Sequence, residues 1–122
     1  MKQILLVGLG GGAGSILRFL ASKWLVQSAK GGFPLATFAV NVIGCLLIGL
    51  LIGWSYKHSA LDADMRALLV AGFCGGFTTF SAFSLENMQL FQAGQYGTLL
   101  FYVLATLIIG FLAVYAGFWL TK

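Results

Sequence analysis

Charge is what this sequence has least of: seven Lys or Arg and three Asp or Glu among 122 residues, 8% in all, where a soluble domain carries about a quarter. A chain that is 60% hydrophobic, with a mean hydropathy of +0.97, reads as an integral membrane protein. The basic residues Lys2, Arg18, Lys23, Lys30, Lys57, Arg66 and Lys122 are dispersed, which excludes the clustered footprint of a nucleic-acid binder and leaves membrane flanking as their role. Histidine is nearly missing. His58, the only one, falls in a loop, so no serine–histidine–acid or metal-ligand cluster can be assembled inside the apolar segments, and an enzyme is not expected. Cys45 and Cys74 both lie within apolar runs and read as small hydrophobes rather than as a disulfide or a side-chain metal site.

The N-terminal stretch MKQILLVGLGGGAGSIL imitates two other signals. A secretory leader is the lesser expectation, because apolar character resumes past Arg18 and three more apolar segments follow. A dinucleotide fingerprint fits Gly8, Gly10 and Ala13, but the ribose-binding acid expected about 20 residues later is missing, the first acid after it being Asp62.

A bilayer core of about 30 Å takes about 20 apolar residues as a helix. Four segments reach that length, with approximate bounds of 4–26, 33–56, 65–91 and 96–120, so the expected fold is an all-α, four-span transmembrane domain over 1–122 with no extramembrane domain. Pro34 suits the first turn of the second helix, and Asp62 or Asp64 can cap the third. With four spans the N-terminus, the KHSALDAD loop and the C-terminus share one side. That side holds Lys2, Lys57, Arg66 and Lys122, against Lys30 with Lys23 and Arg18 near the other. So faint a bias leads to the expectation that the chain inserts in both orientations and pairs antiparallel with itself. Glycine recurs at helix-contact spacing in Gly8/Gly12, Gly10/Gly14, Gly49/Gly53 and Gly72/Gly76, which implies a compact bundle and an oligomer.

Polar residues inside a span are functional candidates by default: Arg18, Asn41, Glu86, Tyr102, Thr106 and the hydroxyls of GGFTTFSAFS, Gly75 to Ser84. A lone Thr106 has an ordinary alternative, bonding back to its own helix's carbonyls. In CGGFTT two glycines and two β-branched residues each lower helix propensity, so a break is expected over Gly75–Thr78. Freed carbonyls would suit a hard cation such as Na⁺, and freed N–H groups an anion. Beyond the break, helical rotation puts Phe80, Phe83 and Ser84 on one face with Ser81 to its side. Aromatic ring edges are electropositive, and Ser, Thr and Asn41 offer donors. Core packing is the competing role for the rings alone.

GFCGGFTTFSAFSLE resembles the signature of the Fluc (CrcB-type) fluoride channels, small four-span bacterial proteins. The likeness extends along essentially the whole chain through Arg18 late in the first span, Pro34 and ATFAVNVIG with Asn41 in the second, and AGQY before the fourth. It implies a passive fluoride channel of the bacterial inner membrane, built as a dual-topology homodimer with a structural Na⁺ at its centre. On that resemblance the backbone carbonyls of Gly75 and Thr78 would bind Na⁺, and Phe80 and Phe83 would line the fluoride pathway beside Asn41, Ser81 and Ser84. Tyr102 and Thr106 would form a polar track opposite the rings, Glu86 would stand near a pore end and Arg18 near the membrane boundary.

The chain departs from the family pattern at Ala82, commonly threonine, at Ala36, usually glycine, and at Gly110, where another track hydroxyl is expected. A proton-coupled small-molecule exporter of four-span dual-topology type is the second reading; it would need Glu86, the only acid in any span, as its titrating carboxylate. A non-transporting helical assembly factor is the third, and predicts no ion flux from purified protein.

Overall fold

A computed structural model describes residues 1–26, 32–59 and 61–122. Among them α1 spans Lys2–Val26 and α2 Leu35–His58; α3 covers 63–77, α4 Phe80–Gln92 and α5 Tyr96–Thr121. Four stretches, Lys2–Leu25, Leu35–His58, Ala63–Gln92 and Tyr96–Thr121, are long and apolar enough to cross a membrane. Helical hydrogen bonding carries α2 on to Lys57 and His58, polar residues beyond its apolar run.

Pro34 stands just before α2, and its carbonyl accepts the Phe38 N–H at 3.1 Å, the first bond of that helix. Of the two candidate caps it is Asp62 that closes the helix start, its Oδ1 accepting from the Met65 N–H at 2.8 Å. Asp64 instead pairs with Lys2 Nζ at 3.0 Å, on the side where the N-terminus meets the loop after α2. Lys30, one of the residues that set the orientation bias, lies outside the described residues.

Glycine sets the packing. A methyl on Gly10 or Gly14 would collide with the backbone of Leu68, Phe73 or Phe77, and one on Gly76 would strike Gly11; α1 and α3 therefore touch backbone to backbone. Gly49, Gly53 and Gly117 do the same between α2 and α5, against Val114, Phe118 and Leu46. Contacts advance in step along both pairs, so the first and third spans run parallel, as do the second and fourth, which is what alternate crossings require. Gly8 and Gly12 behave differently: among the described residues nothing lies within 4 Å of a methyl there, so this one of the four glycine pairs makes no close helix contact among them.

The interior is thin. Tyr102 and Val40 are the largest fully buried side chains, while Leu5, Leu9, Phe19, Phe101, Phe111 and many other apolar residues are exposed. That pattern is inside out for water and ordinary for lipid.

The third span is interrupted, but not where its glycines suggested. Gly75, Gly76 and Phe77 are helical, and the break is confined to Thr78 and Thr79, both extended. The preceding stretch, Arg66–Cys74, is wound as a π-helix, a widening that the residue pattern does not announce; such turns often accompany functional sites.

Candidate functional site

Two extended residues in a membrane span leave backbone groups with no helical partner, and those groups must be satisfied inside the protein. Asn41 satisfies two of them at once. Its Nδ2 donates to the Thr79 carbonyl at 3.1 Å and its Oδ1 accepts the Thr79 N–H at 2.8 Å, so the amide imitates a neighbouring β-strand. One amide N–H expected for an anion is thereby committed to backbone. Thr79 Oγ1 accepts the Ala82 N–H at 3.2 Å and caps α4. The Ala82 methyl carries no hydroxyl, yet its N–H belongs to this cap.

On the other side of the break, the Cys74 carbonyl accepts both the Thr78 N–H at 3.0 Å and the Thr78 hydroxyl at 2.9 Å. The Gly76 carbonyl accepts Arg18 Nε–H at 3.0 Å, with Ser15 Oγ at 3.5 Å. The amides that would reach the carbonyls of Gly75 and Thr78 in a continuous helix, those of Thr79 and Ala82, are turned to Asn41 and to the Thr79 hydroxyl. Among the described residues no hydrogen bond reaches either oxygen. A side chain on Gly44 would collide with the Thr78 methyl, so Gly44 is the space that lets Thr78 sit against α2.

Phe80 and Phe83 leave the break on the same side of α4, their ring centroids 5.8 Å apart. Phe80 is 78% exposed, whereas Phe83 meets the buried Tyr102 ring edge-on at 4.9 Å. An open cleft of about 370 Å³ brings together Asn41, Thr78, Thr79, Phe80, Phe83 and Thr106. Thr106 Oγ1 is buried and has no hydrogen-bond partner among the described residues; bonding back to its own helix, the ordinary alternative for this residue, is not what it does. Gly110 is buried one turn further along α5, where Cys45 Sγ would lie 3.5 Å from an added methyl.

Glu86 is held by hydroxyls. Thr37 Oγ1 donates to Oε2 at 2.7 Å and the Tyr102 hydroxyl to Oε1 at 2.9 Å, while the buried Ala36 lies beside Thr37. A second cleft, about 280 Å³, is lined by Glu86 together with Gln89, Gln95 and Gly32. Glu86, Tyr102 and Phe83 thus link the two clefts through direct contacts. Ser81 Oγ is 3.3 Å from Thr79 Oγ1, and Ser84 is exposed on α4.

Three participants were not among the candidates read from the sequence. Thr37 stands four residues before Asn41, on the same face of α2, and that spacing was the available signal. Ser15 stands three before Arg18 and was legible in the same way. The third, Asn87, donates Nδ2 to the Phe83 carbonyl at 2.9 Å and buries an unpaired Oδ1; only its polarity within a span marked it.

Four apolar crossings, one interrupted around hydroxyls, an amide and unpaired carbonyls, define a multi-pass α-helical membrane protein with polar groups gathered at a break within a span. Comparison with known proteins places it more narrowly: residues 5–118 match the family described as CrcB-like protein, Camphor Resistance (CrcB), and the chain belongs to that family. It is 52% identical over 122 residues, all of this chain and 98% of the relative, to the fluoride-specific ion channel FluC of Azobacteroides pseudotrichonymphae. The protein of the same name from Phocaeicola vulgatus is 41% identical over the full length of both chains, and that from Methylobacillus flagellatus 45% identical over all of this chain and 96% of its own. These names denote an ion channel, not an enzyme.

Proposed function

We propose that this protein is a passive, fluoride-selective channel that lets cytoplasmic fluoride leave across a bacterial inner membrane and so confers fluoride resistance. The observation that carries the reading is the cleft beside the interrupted span, walled by Phe80 and Phe83 and lined also by Asn41 and Thr106, whose buried hydroxyl has no partner among the described residues. A small anion entering it meets hydroxyl donors and ring edges in place of water, with no fixed cation to trap it. The relatives' names support fluoride as that anion. Outward movement needs no coupling machinery, because a negative-inside potential is worth about 2.3 kcal/mol per charge at 100 mV.

The working unit in this reading is an antiparallel homodimer. Phe80, 78% exposed at the centre of the interrupted span, and an open cleft beside it are suited to a second copy of the chain. The carbonyl oxygens of Gly75 and Thr78 fit a structural Na⁺ between two copies, because hard oxygen donors without competing N–H partners are what such a cation takes. Bound there, Na⁺ supplies positive charge at the break. The remaining roles fall to the chain's own side chains: Asn41 holds Thr79 extended, Phe80, Phe83, Ser81, Ser84 and Thr106 face the anion path, and Thr37 and Tyr102 hold Glu86 at its far end.

Fluoride efflux from proteoliposomes, with chloride as competitor, tests the reading. Phe80→Ile or Phe83→Ile is expected to abolish fluoride flux while the dimer survives size-exclusion chromatography; unchanged flux in both variants would remove the rings from the mechanism. A C-terminal tag found on only one face of the membrane would overturn dual topology. The exporter reading is not favoured: both oxygens of Glu86, the carboxylate it requires, already accept hydroxyl donors.

A further inference from the structure

A helix end leaves carbonyl oxygens that no intrahelical N–H can reach. At the end of α3, Thr78 covers Cys74 with its own N–H and hydroxyl, so that capping is local. Gly76 is covered from another helix. Its carbonyl takes Arg18 Nε–H at 3.0 Å, with Ser15 Oγ at 3.5 Å, across 58 and 61 residues of chain. The backbone contacts of Gly14 with Phe73 and Phe77, and of Gly11 with Gly76, bring α1 close enough for a side chain one turn beyond Gly14 to land there.

Arg18 is also a cation within a membrane span, and among the described residues no carboxylate lies within ion-pairing distance of it. What it meets is the C-terminal end of α3, where a helix carries partial negative charge.

We propose that Arg18 is a positioning residue for the interrupted span. Its Nε–H, with Ser15 in support, fixes the last turn of α3 against α1 and so sets where the extended Thr78–Thr79 link begins. The position of the donor in the side chain carries this role, and the formal charge does not. Arg18 need touch no transported ion; it acts through the backbone that bears Gly75 and Thr78.

Three substitutions separate donor from charge. Gln places Nε2 as many bonds from Cα as Arg places Nε, without the charge; Lys keeps the charge on a differently placed nitrogen; Met fills the space with neither. Amide hydrogen exchange at Thr78 and Thr79, read by mass spectrometry on the full chain in lipid nanodiscs, is expected to quicken by about tenfold in R18M and to stay within about threefold of the parent in R18Q. Fluoride efflux is expected to fall further in R18M than in R18Q. Exchange in R18K that matches the parent, while R18Q exchanges as fast as R18M, would overturn the proposal in favour of a charge effect; parental exchange in all three variants would overturn it outright. If R18M does not fold, R18Q against R18K decides: slower exchange in R18Q supports the donor, and the reverse order or equal exchange rejects it. Only the efflux arm rests on the channel reading, so absence of flux from the parent protein would fault that reading and leave the exchange arm intact.

Discussion

Gly75 and Gly76 complete a helix, while Thr78 and Thr79, three positions further on, are fully extended. The difference does not lie in intrinsic preference, since glycine is the poorer helix former. It lies in what each pair meets. Gly76 is pressed against the Gly11 backbone, where no side chain fits. Thr79 faces Asn41, whose amide offers a donor and an acceptor at the spacing of a neighbouring strand. In a bilayer, where an unpaired N–H or carbonyl is expensive, a partner for the backbone outweighs the backbone's own leaning.

That contrast can be broken most severely from the threonine side. Asn41→Ala leaves the N–H and the carbonyl of Thr79 without partners at about 1–3 kcal/mol each, so unfolding in mixed detergent micelles is expected to show a loss of about 2–6 kcal/mol. Parental stability would mean that water or lipid headgroups satisfy Thr79 just as well. From the glycine side, Gly76→Ala forces two backbones apart and is expected to lower stability by about 1–3 kcal/mol in the same titration. Thr79→Val keeps the shape of the residue but removes the cap on α4, for an expected loss of about 1 kcal/mol and faster amide exchange at Ala82. Gly12→Ala is the control that sharpens the glycine half: with nothing near the added methyl and alanine the better helix former, its stability is expected to be no lower than the parent's. A loss would show that this stripe is covered in the assembled protein.

The legibility of the sequence follows the range of the forces involved. Crossings are written in long apolar runs, and the polar residues that stand out within them, Asn41, Glu86, Tyr102 and Thr106, do gather with Phe80 and Phe83 around two clefts. Local propensity points at Gly75–Thr78 for the break; hydrogen bonds from a residue 38 positions away move it to Thr78–Thr79. Arg18 reads as a boundary residue because its position along α1 is visible in the sequence and its partner, the Gly76 carbonyl, is not. The same holds for Gly8 and Gly12, whose spacing is that of Gly10 and Gly14 but whose face of α1 looks away from α3.

The π-wound stretch Arg66–Cys74 also bears on how the gene for this chain can change length. Each of its turns encloses one residue more than an α-helical turn, so the segment stores surplus chain within an unbroken helix. Loss of a single codon there can be absorbed by tightening one turn to α winding, which would leave Gly75–Phe77 helical and in register against α1. The same deletion in α1 or α5, wound without that surplus, would displace every later contact along the helix. Length variation among relatives within this span is therefore expected to concentrate between Arg66 and Cys74, upstream of the threonines that carry the break.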